Sequence, residues 1–320
     1  MKKLILILSI VIIFTLTIGS DVIKKSRTEV NFTKYGKFKS ERTETVNPEI
    51  KRIDSTDKFK GRGLLNKIVT KVFFKSGEFS QIIDLKNSKI SRVNHKKKKV
   101  VVKEIKKIAL GDEDVSESED ESEDEDSDIT ITKNEFKVVR GDKKVINGFP
   151  TIEYKVSWII EWESNESEAK GSSRLLSDVW ATPVTRVISS SQKIESVFFN
   201  NYMKKLGLDI EFKQDEILGG SWMRIFTSMS KTSNEQGTEG AAKFKKEISK
   251  IKGYPIVVDG KFFSKVTGVK KKKSPFSLLK KKKKNKEEKP KFTFYTEVLD
   301  LKIVKSDSGV FEYPAGYKVK

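Results

Sequence analysis

His95 is the only imidazole in 320 residues, and there is no cysteine. Those two facts remove most side-chain chemistry before any motif is sought. Without a thiol there is no disulfide, no thiolate zinc site, no cysteine nucleophile and no lipid-modified N-terminal Cys. His95 stands in Asn94-His95-Lys96-Lys97 with no serine or cysteine nucleophile motif beside it, and reads as a surface or turn histidine. Gly219-Gly220-Ser221 opens an apolar stripe but lacks the lysine and the spacing of a phosphate loop. Paired carboxylates occur only in charged strands and in the run 112–128, which has twelve acids and no lysine or arginine. That run lacks the Gly-centred ligand spacing of a calcium loop. It cannot bury apolar surface and reads as a disordered acidic loop. The expectation is a non-enzymatic chain with no cofactor and no metal.

Two stretches remain that could bind something. In the first, residues 151–163, the even positions are Ile152, Tyr154, Val156, Trp158, Ile160 and Trp162. The odd positions are polar apart from Ile159, so this is a long strand with one apolar and one wet face. A second run, 175–188, carries Trp180. Tyr154, Trp158, Trp162 and Trp180 could line a cleft for a lipid or acyl chain. The more ordinary reading is core between a sheet and its helices, because aromatic residues bury large areas in any fold.

The second stretch is basic. Lys270, Lys271, Lys272 and Lys273 are followed by Phe276, Leu278 and Leu279, then by Lys280, Lys281 and Lys282. Residues 270–291 hold twelve lysines against two glutamates, a local +10. Near an anionic membrane each lysine could contribute about 1 kcal/mol, with the short apolar tip inserting shallowly. The alternatives are a disordered loop kept soluble by its charge, or a weak, salt-sensitive pairing with the acidic run.

The elements that would position these residues follow from period and punctuation. Lys2 and Lys3 precede an apolar run to Phe14, and Gly19 and Ser20 follow it. This pattern describes a signal peptide over 1–20, too short to span a bilayer, and implies export to the periplasm or cell envelope. From there 21–320 reads as one domain. Short alternating runs with polar turns mark a β-meander: strands near 68–74, 79–85, 89–93 and 100–102, with 40–63 read as loop or edge. Phe136 leads into the aromatic strand. Three amphipathic stripes then predict helices, through Ile194, Phe198 and Tyr202, through Trp222 and Phe226, and through Phe244, Ile248 and Ile251. Residues 256–269 read as a strand pair bent at Asp259-Gly260, and 292–304 as the last strand.

With Gly148-Phe149-Pro150 and Tyr154, Val179-Trp180-Ala181-Thr182, the helix ending 199–207, and the closing phrase Phe311 to Tyr317, the chain resembles a family of exported bacterial proteins carrying a domain of unknown function. That family's fold is like the periplasmic lipoprotein carriers (LolA-like). The resemblance spans most of 25–320. It implies an α+β fold: a curved antiparallel sheet, an incomplete barrel, with helices covering the concave face, whose apolar hollow holds acyl chains in the carriers. The expected function is an exported envelope protein that binds a hydrophobic or acyl ligand and docks on an anionic membrane surface. The other reading is an envelope scaffold with a filled core that binds a protein or polyanion. The net charge of +20 permits nucleic acid, but export argues against it.

Overall fold

The computed structural model describes residues 20–62, 76–108, 129–208, 246–268 and 288–320. The predicted signal peptide up to residue 19, the strand near 68–74, the acidic run, the Trp222 stripe and the basic stretch 270–282 lie outside these residues.

The first half of the described chain is a meander of six strands: β1 (Ser20–Phe32), β2 (Gly36–Val46), β3 (Ile50–Gly61), β4 (Gly77–Asp84), β5 (Lys89–Asn94) and β6 (Lys99–Glu104). The second half is another: β7 (Ile129–Ile146), β8 (Phe149–Ser164), β9 (Lys170–Thr182), β10 (Tyr254–Thr267) and β11 (Phe292–Lys305). The two meanders join where β1 pairs antiparallel with β11, giving the order β6-β5-β4-β3-β2-β1-β11-β10-β9-β8-β7. A two-residue strand, β12 (Lys318–Val319), then adds in parallel to the free edge of β6.

This corrects the expected α+β class. Of the described residues 63% are in strands and 13% in helices, in one open, mixed, twelve-stranded sheet that is largely all-β. Only one long helix is described, α1 (Arg186–Lys205). It touches β1, β2 and β11 rather than roofing the whole face. Thr185 caps it, accepting from the Ile188 N–H. Its start lies inside the run that alternation extended to residue 188. Of the third stripe, Ile248 and Ile251 are described, and both pack against the β7–β11 core.

The stretch 40–63, expected to be loop or edge, is the end of β2 and all of β3, in the middle of the first meander. Its sequence misleads because both of its faces are polar. Cross-strand partners replace hydrophobic burial there, for example Lys51 on Glu44 at 2.7 Å. In place of the bent pair expected over 256–269, β10 runs unbroken through Asp259-Gly260 to Thr267. Gly260 is mid-strand, and a Cβ there would collide with the Phe294 ring.

Hydrophobic packing falls into two clusters. One gathers Val138, Tyr154, Val156, Trp158, Ile160, Leu175, Val179 and Phe294 from the second meander. The other joins Ile188, Ile194 and Phe198 of α1 to Val22, Val46, Ile83, Leu85 and Leu301. The β7–β8 turn, Asn147-Gly148, has positive φ at both residues (51° and 81°), the geometry that suits a two-residue hairpin. Its tip folds back onto β11, where the Asn147 side chain donates to Glu297 and to the Val298 carbonyl, each at 2.9 Å.

Candidate functional site

The four aromatic candidates are not brought onto one wall. Tyr154 and Trp158 are buried, at 4% and 5% exposure, within the β7–β11 cluster. The Trp158 indole N–H donates to Asn134 Oδ1 at 2.9 Å, and Phe136 stacks edge-on against the ring. Trp162 lies half-buried over its cross-strand partner Gly171. Trp180 pairs with Glu153 in the register. Cross-strand partners share a face and successive residues alternate, so Trp180 points to the face opposite Tyr154. There the Lys144 ammonium sits 3.8 Å above its ring. The two cavities described next touch none of the four.

The cavities lie on neighbouring strands, the first over β2–β5 and the second, on the other face, over β1–β4 with His95 and Leu299 of β11. On the first face the register aligns Arg42, Ser55 and Phe79 in one row and Ile53, Gln81 and Arg92 in the next. These six side chains line a trough of about 300 Å³. Arg42 and Arg92 stand at its two ends, three strand spacings apart, or about 14 Å across the sheet. Arg42 reaches the Ser40 hydroxyl at 3.2 Å. Glu44, the acid next to Arg42 on the same face, is already held by Lys51 at 2.7 Å and Lys24 at 3.7 Å. Among the described residues neither guanidinium has a carboxylate within ion-pair distance.

The Lys24 cluster fixes one flank of this trough. Lys24 also meets Glu195 of α1 at 3.3 Å, and its side chain is 17% exposed. Burial works against the ammonium, but Glu195 and Glu44 outweigh it and hold the Lys24 pKa above the ordinary lysine value. Burial likewise opposes the Glu44 carboxylate, yet Lys24 and Lys51 pull it down to about 2. Buried Tyr254 adjoins the same charges, and desolvation pushes its phenol up to about 12.

On the opposite face a polar chain runs beside a cleft of about 340 Å³ lined in part by Lys25, Thr43, Asp54, Thr56 and His95. Asp54 accepts from Arg52 Nε with both oxygens at 2.9 Å and from Ser80 Oγ at 2.5 Å. His95 Nε2 is 2.6 Å from the same hydroxyl, and Nδ1 is 3.2 Å from the Tyr317 hydroxyl. The order differs from a nucleophilic triad. Ser80 sits between the acid and the histidine, and Asp54 can only accept, so the serine proton points to Asp54. In the neutral ring, Nε2–H then donates to Ser80 and Nδ1 accepts from Tyr317. In that arrangement neither His95 nitrogen takes the serine proton, so the order is not that of a serine nucleophile and its histidine base.

Sequence reading did not find Arg42, Arg92, Asp54 or Ser80, and it placed His95 in a turn, where it lies, without its partners. Arg42 and Arg92 are fifty positions apart, and only the register sets them on one face. His95, expected as a surface or turn residue, meets Tyr317 across 222 positions. No local pattern encodes either meeting. No family model, curated protein or solved structure matches the chain.

Proposed function

We propose that this chain is a non-enzymatic binding protein of the cell envelope that holds an extended anionic polymer across β2–β5. The observation that carries the reading is the trough with Arg42 and Arg92 at its ends, neither of them ion-paired with a carboxylate among the described residues, since the nearby Glu44 is held by Lys24 and Lys51. Guanidinium forks suit carboxylate or phosphate oxygens, and the spacing of the two suits a ligand that meets one at each end. Ser55 and Gln81 supply polar contacts to the stretch between, and Phe79 and Ile53 give it an apolar floor. The net charge of +20 adds a long-range pull toward such a partner. The lipid-carrier reading gains no comparable support, since Tyr154 and Trp158 are enclosed by core and Trp180 faces away from them.

The test uses long-chain polyphosphate and poly-glutamate as probes, titrated into the full chain at several salt concentrations. Arg42→Ala with Arg92→Ala is expected to weaken binding at least tenfold. It should also lower the slope of log affinity against log salt by about one to two. The control pair Lys58→Ala with Lys60→Ala, on exposed positions of β3, should leave the affinity within about threefold. Equal losses in both pairs, or no binding of either polymer by the unaltered chain, would sink the proposal.

A further inference from the structure

We infer that the groove on β3–β6 which holds the C-terminal segment is an exchangeable strand site, and that its second occupant is the same segment from another copy of this chain. From residue 306 to residue 320 only Phe311 is buried, and Tyr317 is half-buried; the rest is exposed. The segment is held instead at a few discrete points. Arg52 Nη1 donates to the carbonyls of Val310 at 2.8 Å and Glu312 at 2.7 Å. Phe311 is buried against the sheet, the recess it occupies being the one large side-chain anchor of the segment, and the Tyr317 hydroxyl meets His95. β12 then continues the sheet: Lys318 N donates to the Lys98 carbonyl, Lys320 N to that of Val100, and Val102 N to that of Lys320.

Nearly all of these contacts read backbone, with one aromatic peg and one phenol to set the register. That is how a sheet edge takes up a strand from any source. A segment with so little buried surface belongs to the easily opened part of a fold. Its release would leave the β6 edge unpaired, the Phe311 recess empty and the Arg52 donors without carbonyls. Unpaired edges recruit strands.

The exit of the segment is tied down separately. Asp21, itself buried, accepts from Ser306 Oγ at 2.8 Å and from the Asp307 N–H at 3.3 Å. The hinge therefore lies just after Asp307. The thirteen residues beyond it can extend about 43 Å, enough to reach an adjacent molecule. Another copy offers a segment already fitted to the groove, so exchange adds no new contact type and loses none. Two chains of +20 repel each other, so exchange should rise with salt and with protein concentration.

The absence of cysteine makes the test clean. Lys99 and Lys318 are neighbours in the β6–β12 register, so Lys99→Cys with Lys318→Cys can lock the segment in place under oxidant. A fluorescent peptide of residues 306–320 is titrated into the full chain, oxidised and reduced, and light scattering after size exclusion reports mass at low and high salt. Saturable peptide binding by the unaltered and the reduced chains is expected. So is a salt-promoted dimer, with at least a tenfold loss of both on oxidation. A peptide carrying Phe311→Asp should bind at least tenfold more weakly, which tests the recess without altering the protein. No binding to the unlocked chain, equal binding to the locked chain, or indifference to the Phe311 change would each overturn the inference.

Discussion

Lys24 shows how a single buried side chain sets the conditions under which this protein is stable. Its ammonium is held charged by Glu44 and Glu195, so its folded pKa exceeds the unfolded value. The stability it contributes is full below about pH 10 and falls as pH rises beyond that. Tyr254 acts in the same direction. Its phenol ionises near 10 when unfolded but near 12 when buried, so stability declines across pH 10–12 by about 3 kcal/mol. Glu44 acts at the other end. Its pKa is about 2 folded and 4.5 unfolded, so its contribution is lost as pH falls from about 4.5 toward 2. Thermal melts should therefore be flat from about pH 5 to 9 and fall on both sides. Tyr254→Phe should melt within a few degrees of the unaltered chain at pH 7 and lose less between pH 10 and 12; an identical alkaline decline would remove Tyr254 from the account. At neutral pH, Lys24→Met should cost about 3 kcal/mol, because it leaves the Glu195 carboxylate without its cation beside Glu44, which keeps only Lys51. The Lys24 cluster was not legible in the sequence, since its members come from positions 24, 44, 51, 195 and 254. His95 teaches the same lesson. Its neighbours in the chain are lysines, and its neighbours in space are Ser80 and Tyr317.

Elements were far more legible than residue roles, wherever one face of a strand was apolar. β8 reads directly from Tyr154, Val156, Trp158 and Ile160, because alternation and burial coincide there. β3 does not, because Arg52, Asp54, Ser55 and Asp57 put polar groups on both faces, and cross-strand pairing alone defines it. Gly260 misled for a related reason. Asp-Gly usually marks a turn, but here the missing Cβ makes room for Phe294 on the neighbouring strand. Gly171 does the same for Trp162. Gly260→Ala should therefore destabilise by about 1–3 kcal/mol, since the buried Phe294 ring has nowhere to move. Chemical denaturation measures it, and a change below 0.5 kcal/mol, within the noise of a surface substitution, would refute the close packing. The outer edge of β7 is partly closed by Glu247, whose carboxylate accepts the Val138 N–H at 2.9 Å. Edge N–H groups left open invite other strands, so Glu247→Ala should raise the rate of aggregation on heating more than it lowers the melting temperature.

At the scale of the molecule the decisive contact is the one between β1 and β11, which lie 270 positions apart at Arg27 and Glu297. Within each meander the strands pair in chain order, although residues 183–253, which include α1, stand between β9 and β10. What makes them one sheet is this single antiparallel pairing, reinforced where Arg27 donates to Glu297 at 2.6 Å and Asn147 of the distant hairpin turn donates to the same carboxylate. Such a join could not be read from periodicity, which describes a strand but not its partner. It also means that neither half is complete. Without the other, β1 and β11 would present long unpaired edges, and β6 would lack the β12 strand that only the second half supplies. Sheets dominated by such distant pairings form slowly, because the loop must close before the contacts reward it. A chain divided within 112–128 should therefore behave as two obligate partners. Fragments 20–118 and 119–320, produced together, should copurify at equal ratio and melt in one cooperative transition. Produced separately, each should be insoluble or self-associated. Two fragments that fold and stay monomeric on their own would show that the β1–β11 seam is an ordinary interface between independent sheets, and would refute the single-sheet account of this molecule.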